Sequence, residues 1–177
     1  IENPEATAHT RIGWFRSVNN VVHAWSTQSF VAEIAHQLGK DPKDFLLELI
    51  GPDRTVDPRE QVTTKWWNYG EPFETYPIQT GRLRRVAELA AKEAGWGKQL
   101  PKGQGLGIAA HRSFVSYIAT VVHVEVGEKG KITIPRVDTA IDCGYCVHPE
   151  RVRSQIEGAA VMGLTLAKYS EVTAKNG

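Results

Sequence analysis

The sequence predicts a domain of the α+β class, in which helices pack on antiparallel strands. Apolar residues recur with a helical period before Pro101 and again after Pro149, whereas the residues between them alternate as in half-buried strands. The glycine-containing turn 127–130 separates two alternating stretches, which favours antiparallel pairing. Both kinds of secondary structure are therefore expected in this chain of 177 residues.

Residues 1–50 are predicted to be a helical segment. Apolar residues fall at positions i, i+3, i+4 and i+7 of a first helix, which should run from about Val21 to Leu38. A second, short helix should begin after Asp41-Pro42, because Asp is a good N-cap and Pro suits the first helical position. Gly51-Pro52 should end it.

Residues 51–77 are charged and contain prolines, which indicates a long loop or covering excursion. Trp66 and Trp67 are its strongest apolar feature. An exposed Trp pair can anchor a partner, but the same pair can cover the core of its own domain. Both interpretations are open at this point.

Residues 78–177 are expected to hold a helix, a β-hairpin, another helix and a strand. The helix should end at Gly95, and its three arginines are expected on a solvated polar face. These are Arg82, Arg84 and Arg85. Alternation around Tyr117–Val126 and its return after the turn predict the hairpin. Pro149 should open the last helix, with a final strand over Tyr169–Ala174.

Both ends of the sequence suggest a fragment. The chain opens at Ile1 without an initiator Met, and its single Met is Met162. Lys175-Asn176-Gly177 is typical of a hairpin turn, and no return strand follows it in this sequence. We therefore expect a piece of a larger protein.

Composition excludes several functional classes. The 21 Lys and Arg nearly balance the 20 Asp and Glu, so no overall field would recruit nucleic acid or an anionic membrane. No stretch approaches the roughly 20 apolar residues that span a bilayer, so no transmembrane segment is predicted. The 2 cysteines neither demand nor exclude an oxidising compartment.

Two motifs resemble cofactor sites, but each is better explained as an ordinary part of the fold. The glycines of 103–107 lack the following helix that a dinucleotide fingerprint requires, so flexible strand entry is favoured. Cys143 and Cys146 have the spacing of redox and metal motifs, with His148 close by. Because Cys143 ends a strand and no second ligand pair follows, a metal site is not predicted.

Two further segments could bind an anion. Ser113 and Ser116 follow Arg112 where one strand passes into the next, and hydroxyls and amides at such a junction can bind a phosphate. Turn capping by the serines is about equally favoured. Gln155 lies in the first turns of its helix, where a ligand could meet it, although an exposed polar face is the default.

Taken together, three ordered stretches resemble the large subunits of the molybdenum hydroxylases, the xanthine dehydrogenase and aldehyde oxidase family, in the branch of the bacterial isoquinoline 1-oxidoreductase beta subunits. They are Trp14–Val18 leading to Gln28–Ala35; Gly105–Phe114; and Val137–Asp138 through Asp142–Gly144 to Pro149 and Gln155–Leu164. The stretches cover most of the chain outside 51–77. An ordered set of this kind is far more specific than any single motif.

The resemblance implies a partial molybdenum-cofactor-binding domain, and a parent enzyme that hydroxylates N-heterocycles or aldehydes with oxygen from water. A small subunit with iron–sulfur clusters would be its partner, in the bacterial cytoplasm or periplasm. The family's cofactor is a molybdenum–pterin, whose metal needs no protein thiolate. By resemblance, Arg16, Ser113, Ser116 and Gln155 are the candidate cofactor-binding residues.

The sequence departs from the family pattern in three places. Asn19 stands where Gly is common, and His148 stands where Asn usually precedes the Pro. The family's catalytic Glu lies in a Gly-Glu-Pro segment after the helix of Gln155, and this sequence has no counterpart there. Neither Glu71, in a Gly-Glu-Pro triplet before that helix, nor Glu157 is therefore given the catalytic role. The isolated chain is therefore expected to be inactive, and a non-enzymatic scaffold module is the alternative.

Overall fold

A computed structural model describes residues 13–63, 65–173 and 175 of the chain. Within them, four helices and five strands occur. In chain order they are α1 (Asn20–Gln37), α2 (Pro42–Ile50), β1 (Thr55–Val56), β2 (Ile78–Gln79), α3 (Thr80–Ala94), β3 (Gln104–Ser113), β4 (Ser116–Val126), β5 (Ile132–Asp142) and α4 (Pro149–Lys168). Helices accompany antiparallel sheets, which confirms the predicted α+β class.

The main sheet is an antiparallel meander in the order β3-β4-β5. A two-residue turn joins β3 to β4, with Ser113 opposite Ser116. A short 3₁₀ turn over Glu128–Gly130 joins β4 to β5, at the place where the sequence predicts a hairpin. The register shifts once between His123 and Glu125, where a bulge interrupts the pairing of β4 with β5.

Local signals set the limits of the two shorter helices. The Asp41 side chain accepts a hydrogen bond from the Asp44 backbone N–H at 3.0 Å, and Pro42 follows it as the first helical residue of α2. Gly95 ends α3 in the left-handed region at φ 74°, a conformation that glycine adopts without a Cβ penalty. Both ends lie where the sequence places them.

The core lies between α3 and one face of the main sheet. The helix presents a row of small side chains, which lets it lie close to the strands. Tyr117 and Val121 of β4 are the largest fully buried side chains in the described part of the chain. The remaining core comes from Leu46, Leu47, Val86, Ala87, Ala90, Ala94, Ala110, Ala119 and Ala140.

The opposite face of the sheet is only partly covered. Ile118, Thr120 and Val122 of β4 line two cavities there, one of about 520 Å³ beside α1 and one of about 340 Å³ beside α4. Among the described residues of α4, none is buried. This helix therefore lies over the sheet face across an open apolar space.

Two sequence expectations differ from the structure. Residues 169–173 form no strand, because no neighbouring strand lies beside them in the described ranges; Ala174, Asn176 and Gly177 lie outside those ranges. Arg82 is not a solvated residue of a polar face, since its guanidinium forms an ion pair with Asp142 at 2.6 Å. The 51–77 segment is mostly irregular, with β1 and a 3₁₀ turn within it.

Candidate cofactor-binding site

Arg16 and Gln155 are in direct contact although 139 positions separate them. The Arg16 Nη2 group donates to the Gln155 side-chain Oε1 at 2.9 Å and to the Gln155 backbone oxygen at 2.9 Å. A Cβ added to Gly158 would lie 3.7 Å from Arg16 Nη1, so the guanidinium runs along this side of α4. The structure thus brings together two of the four predicted cofactor-binding residues.

The local sequence explains how both partners are presented. His148 caps α4, its Nδ1 accepting from the Arg151 backbone N–H at 3.3 Å, and Pro149 follows as the first helical residue. Gln155 is the seventh residue of α4, in its second turn and so beyond the first turn within which the helix dipole acts. Ser17 and Val18 adopt positive φ values of 68° and 51°, so the backbone reverses just after Arg16.

The donors of this pair are available to a ligand. Both side chains are exposed. The Gln155 Oε1 is occupied by Arg16, which fixes the amide so that its NH₂ end points elsewhere and can donate. A guanidinium with an amide NH₂ group beside it is a donor set suited to anionic oxygens.

Ser113 and Ser116 form the second pair of predicted residues. They face each other across the β3–β4 turn and are half-buried. Within the ranges described, the structure records no hydrogen bond from either hydroxyl, so the turn-capping role is not observed. Phe114 and Val115 between them have positive φ values of 46° and 61°. The turn is therefore held in a conformation that neither residue type favours.

The four predicted residues thus form two pairs. In the part of the chain that the structure describes, no recorded hydrogen bond joins Arg16 or Gln155 to Ser113 or Ser116. Their joint role in holding one cofactor stays a prediction.

The cysteines do not form a ligand cluster with neighbouring groups. Cys143 is half-buried and Cys146 is exposed, and both thiols are unpaired. Burial raises the pKa of the Cys143 thiol, which disfavours the thiolate that metal binding and redox chemistry require. No group of three or more potential metal-ligating His, Cys, Asp or Glu side chains occurs among the described residues.

Trp66 and Trp67 lie in different environments. Trp66 packs edge-to-face on Phe73 at a ring distance of 5.8 Å, within its own segment. Trp67 is 67% exposed and lies 6.0 Å from the Tyr69 ring. Glu71 follows in an exposed turn, where its backbone N–H donates to the Asn68 oxygen at 2.9 Å.

A polar cluster built around Asn20, which no sequence pattern marks, lies beside the second pair. Asn20, the first residue of α1, is only 7% exposed, and its Oδ1 lies 3.0 Å from both the Tyr69 hydroxyl and His111 Nε2. Burial, and secondarily the charge of His23, lowers the pKa of His111. An Asn at a helix start is expected to be an exposed cap, so nothing in the sequence suggests this burial.

None of the helices over the described residues is long and apolar enough to cross a membrane.

Comparison with known proteins gives several relatives. The chain is 29% identical over its whole length to 22% of the membrane-bound aldehyde dehydrogenase [pyrroloquinoline-quinone] of Gluconacetobacter polyoxogenes. It is 23% identical over 96% of its length to 13% of a nicotinate dehydrogenase subunit of Pseudomonas putida.

A third relative is the beta subunit of the isoquinoline 1-oxidoreductase of Brevundimonas diminuta, 24% identical over 93% of the chain and 18% of the relative. The chain thus spans about a fifth or less of these three relatives. No solved structure matches it significantly. The molybdopterin cofactor-binding domain family matches residues 34–177, most of the chain, and the chain therefore belongs to that family.

Proposed function

We propose that this chain is one part of the molybdenum-cofactor-binding subunit of an oxidoreductase that hydroxylates N-heterocycles or aldehydes with oxygen from water. Family membership supports the cofactor class. The names of the relatives, an aldehyde dehydrogenase, a nicotinate dehydrogenase and an isoquinoline oxidoreductase, support the substrate classes. The isoquinoline 1-oxidoreductase-like branch is our specific proposal. The short share of each relative covered supports a larger parent subunit.

The observation that carries the proposal is the contact of Arg16 with Gln155. A pterin phosphate is strongly anionic, and the residues present fit it: a guanidinium, an amide beside it and two hydroxyls that have no hydrogen-bond partner among the described residues. Arg16 would supply the positive charge and hold the Gln155 amide in one orientation. Ser113 and Ser116 would donate their hydroxyls. The bound cofactor would supply the redox chemistry that these side chains lack.

The chain is proposed to bind and orient, and not to supply the catalytic carboxylate. Glu71 lies before the helix of Gln155, and Glu157 lies within that helix, so neither matches the place of the family's Glu. A separate iron–sulfur subunit is the proposed electron acceptor. We expect the isolated chain to show no turnover of isoquinoline, and measurable turnover by it would contradict this part of the proposal.

The test uses the full-length subunit matured in a host that makes the cofactor. Molybdenum content and pterin fluorescence would be measured for wild type, Arg16→Gln and Gln155→Glu. The first variant removes the charge, and the second places a carboxylate where an anion should bind. We expect a loss of cofactor content of about fivefold or more in each, since one charge-assisted hydrogen bond contributes about 1.5–3 kcal/mol.

Arg153→Gln is the matched control, because it removes an exposed arginine from the same helix, where Arg153 lies 3.6 Å from Glu150. Its cofactor content should equal that of wild type. Unchanged content in both Arg16→Gln and Gln155→Glu would contradict the assignment of this pair.

A scaffold module is the second candidate, and the 67% exposure of Trp67 favours it. An exposed aromatic side chain can anchor a protein partner. Absence of molybdenum from properly matured full-length protein would favour the scaffold. A Gly-Glu-Pro segment in the sequence that follows this chain in the parent gene would favour the enzyme.

A further inference from the structure

A cavity of about 400 Å³ lies between the start of α1, the 65–69 segment, β2 and the end of β3. Its polar lining includes Asn20, His111 and Arg112, and its aromatic lining is Trp66, Trp67 and Tyr69. None of the four predicted cofactor-binding residues lines it. The cavity is therefore not explained by the proposed cofactor site.

Asn20 presents an unused donor here. Its Oδ1 is engaged by the Tyr69 hydroxyl and by His111 Nε2, which fixes the orientation of the amide. Its Nδ2 is buried and has no hydrogen-bond partner among the described residues, although the residue is only 7% exposed. A buried donor that stays unsatisfied destabilises the folded state, so such a group points to a missing acceptor.

Arg112 presents a second unused donor. Its Nη2 donates to Asn68 Oδ1 at 2.8 Å and to the Tyr76 backbone oxygen at 3.1 Å, and both acceptors are neutral. Its Nε is buried without a partner in the described part of the chain. The Tyr69 and Tyr117 rings lie 5.9 Å from the guanidinium carbon and stabilise the cation, but they accept no hydrogen bond from Nε.

The lining selects the charge and shape of a ligand. No Asp or Glu is among the described residues that line the cavity, so the guanidinium charge is not balanced within it. Trp67, which is 67% exposed, forms part of its wall. Two orphaned donors favour a pair of acceptor oxygens, and a stacking wall favours a flat ring.

We propose that this cavity is a binding site for a small aromatic monocarboxylate. Its carboxylate accepts hydrogen bonds from Asn20 Nδ2 and Arg112 Nε, and its ring stacks on Trp67. The site satisfies both orphaned donors and places a negative charge beside the unbalanced guanidinium. It requires neither the molybdenum cofactor nor any residue outside the chain.

Benzoate is the probe, titrated calorimetrically into the purified full chain at neutral pH. Asn20→Asp is the sharpest variant, because it keeps an oxygen toward Tyr69 and His111 and replaces the donor with a negative charge. We expect a benzoate affinity about tenfold or more below that of wild type, equivalent to about 1.4 kcal/mol. Thr27→Asp adds the same charge at an exposed position of α1 that does not line the cavity, and it should change the affinity less than threefold.

A second pair of variants tests the ring wall without a buried substitution. Trp67→Ala should weaken benzoate binding by about threefold or more, since it removes the aromatic partner on which the benzoate ring stacks. Trp25→Ala is the control, because Trp25 is 72% exposed and lines the other cavity beside α1. Cyclohexanecarboxylate, which lacks a flat ring, and benzamide, which lacks the charge, should each bind more weakly than benzoate.

The proposal is overturned if wild type shows no saturable benzoate binding up to about 10 mM, corresponding to about −2.7 kcal/mol. It is also overturned if a folded Asn20→Asp binds within threefold of wild type, which would indicate a water-filled structural cavity. If thermal melting shows that Asn20→Asp does not fold, Trp67→Ala against Trp25→Ala decides, and equal affinities overturn the proposal.

Discussion

Arg82 and Asp142 form a bidentate ion pair that joins the first turn of α3 to the last residue of β5. Arg82 Nε lies 2.7 Å from Asp142 Oδ2, and Arg82 Nη2 lies 2.6 Å from Asp142 Oδ1. The Tyr117 ring lies 4.6 Å from the same guanidinium, so the pair rests on the core. Asp142 also accepts from the Gly144 backbone N–H at 3.0 Å, and it thereby positions the chain that leads toward α4.

The pair predicts a loss of stability in acid. The hydrogen bonds from Arg82 lower the pKa of Asp142 to about 2, below its usual value of 3.8. Because the folded-state pKa is the lower one, the stabilisation is complete above about pH 4 and is lost as the pH falls toward 2. Asp142→Asn keeps an acceptor for Gly144 and should lower the unfolding free energy by about 1 kcal/mol at pH 6, a modest value because both side chains are partly solvated.

Urea unfolding across this pH range is the measurement. The curves of wild type and Asp142→Asn should converge at the acid end. Asp53→Asn serves as the control, since Asp53 is exposed and lies 3.5 Å from Arg85. Parallel curves for wild type and Asp142→Asn would show that the pair does not contribute.

Removal of the Tyr117 hydroxyl is expected to lower the unfolding free energy strongly. Its hydroxyl accepts from the Gln79 backbone N–H at 2.8 Å and donates to the Pro77 oxygen at 3.0 Å, while its ring is 1% exposed. Tyr117→Phe leaves two partly buried backbone groups unpaired, so it should lower the unfolding free energy by about 1–3 kcal/mol. Tyr169→Phe removes a hydroxyl from a 75% exposed residue and should change nothing measurable.

Local signals predict much of this fold, and distant partners explain what they miss. Asp41 marks the start of α2 and Gly95 marks the end of α3 through short-range chemistry, and the structure has both limits there. The ion pair of Arg82 depends on a residue 60 positions away, so helical spacing alone describes it as solvated. Asn20 is likewise buried by groups 49 and 91 positions away.

The candidate site shows the same limit. The contact of Arg16 with Gln155 spans 139 positions, and no periodicity can predict it. Resemblance to a family selected both residues, and the structure places them together. Asn20 is part of neither a motif nor the resemblance, although His111 and Arg112 lie within the stretch Gly105–Phe114, and only the folded chain gathers the donors and rings of this cavity.

Substitution by alanine is expected to change the stability differently at Gly103 and at Gly107, although both belong to the glycine-rich stretch before and within β3. Gly103 has a φ of 87°, and a Cβ there would lie 2.9 Å from the Val126 backbone oxygen. Gly103→Ala should therefore lower the unfolding free energy by about 1–3 kcal/mol. Gly107 has open space around its Cβ position, so Gly107→Ala should be neutral or slightly stabilising. Equal losses from thermal melting would contradict this explanation.

Replacement of Val115, in the turn between Ser113 and Ser116, is expected to stabilise the fold. It has a φ of 61°, which a β-branched residue strongly disfavours, and Phe114 before it has a φ of 46°. Phe114 is held there by its ring, 4.8 Å from that of Tyr69, so Val115 is the residue to replace. A two-residue turn with both φ values positive prefers Gly at its second position.

Val115→Gly should raise the unfolding free energy by about 0.5–1 kcal/mol, because the relief of left-handed strain, about 1–2 kcal/mol, exceeds the entropy cost of glycine, about 0.5–1 kcal/mol. Val122→Gly, in the middle of β4 and likewise half-buried, is the matched control and should lower it, since no strain is relieved there. Chemical denaturation of both variants checks the prediction. If Val115→Gly is as destabilising as Val122→Gly, packing of the Val115 side chain outweighs the strain, and the turn is held by its side chains.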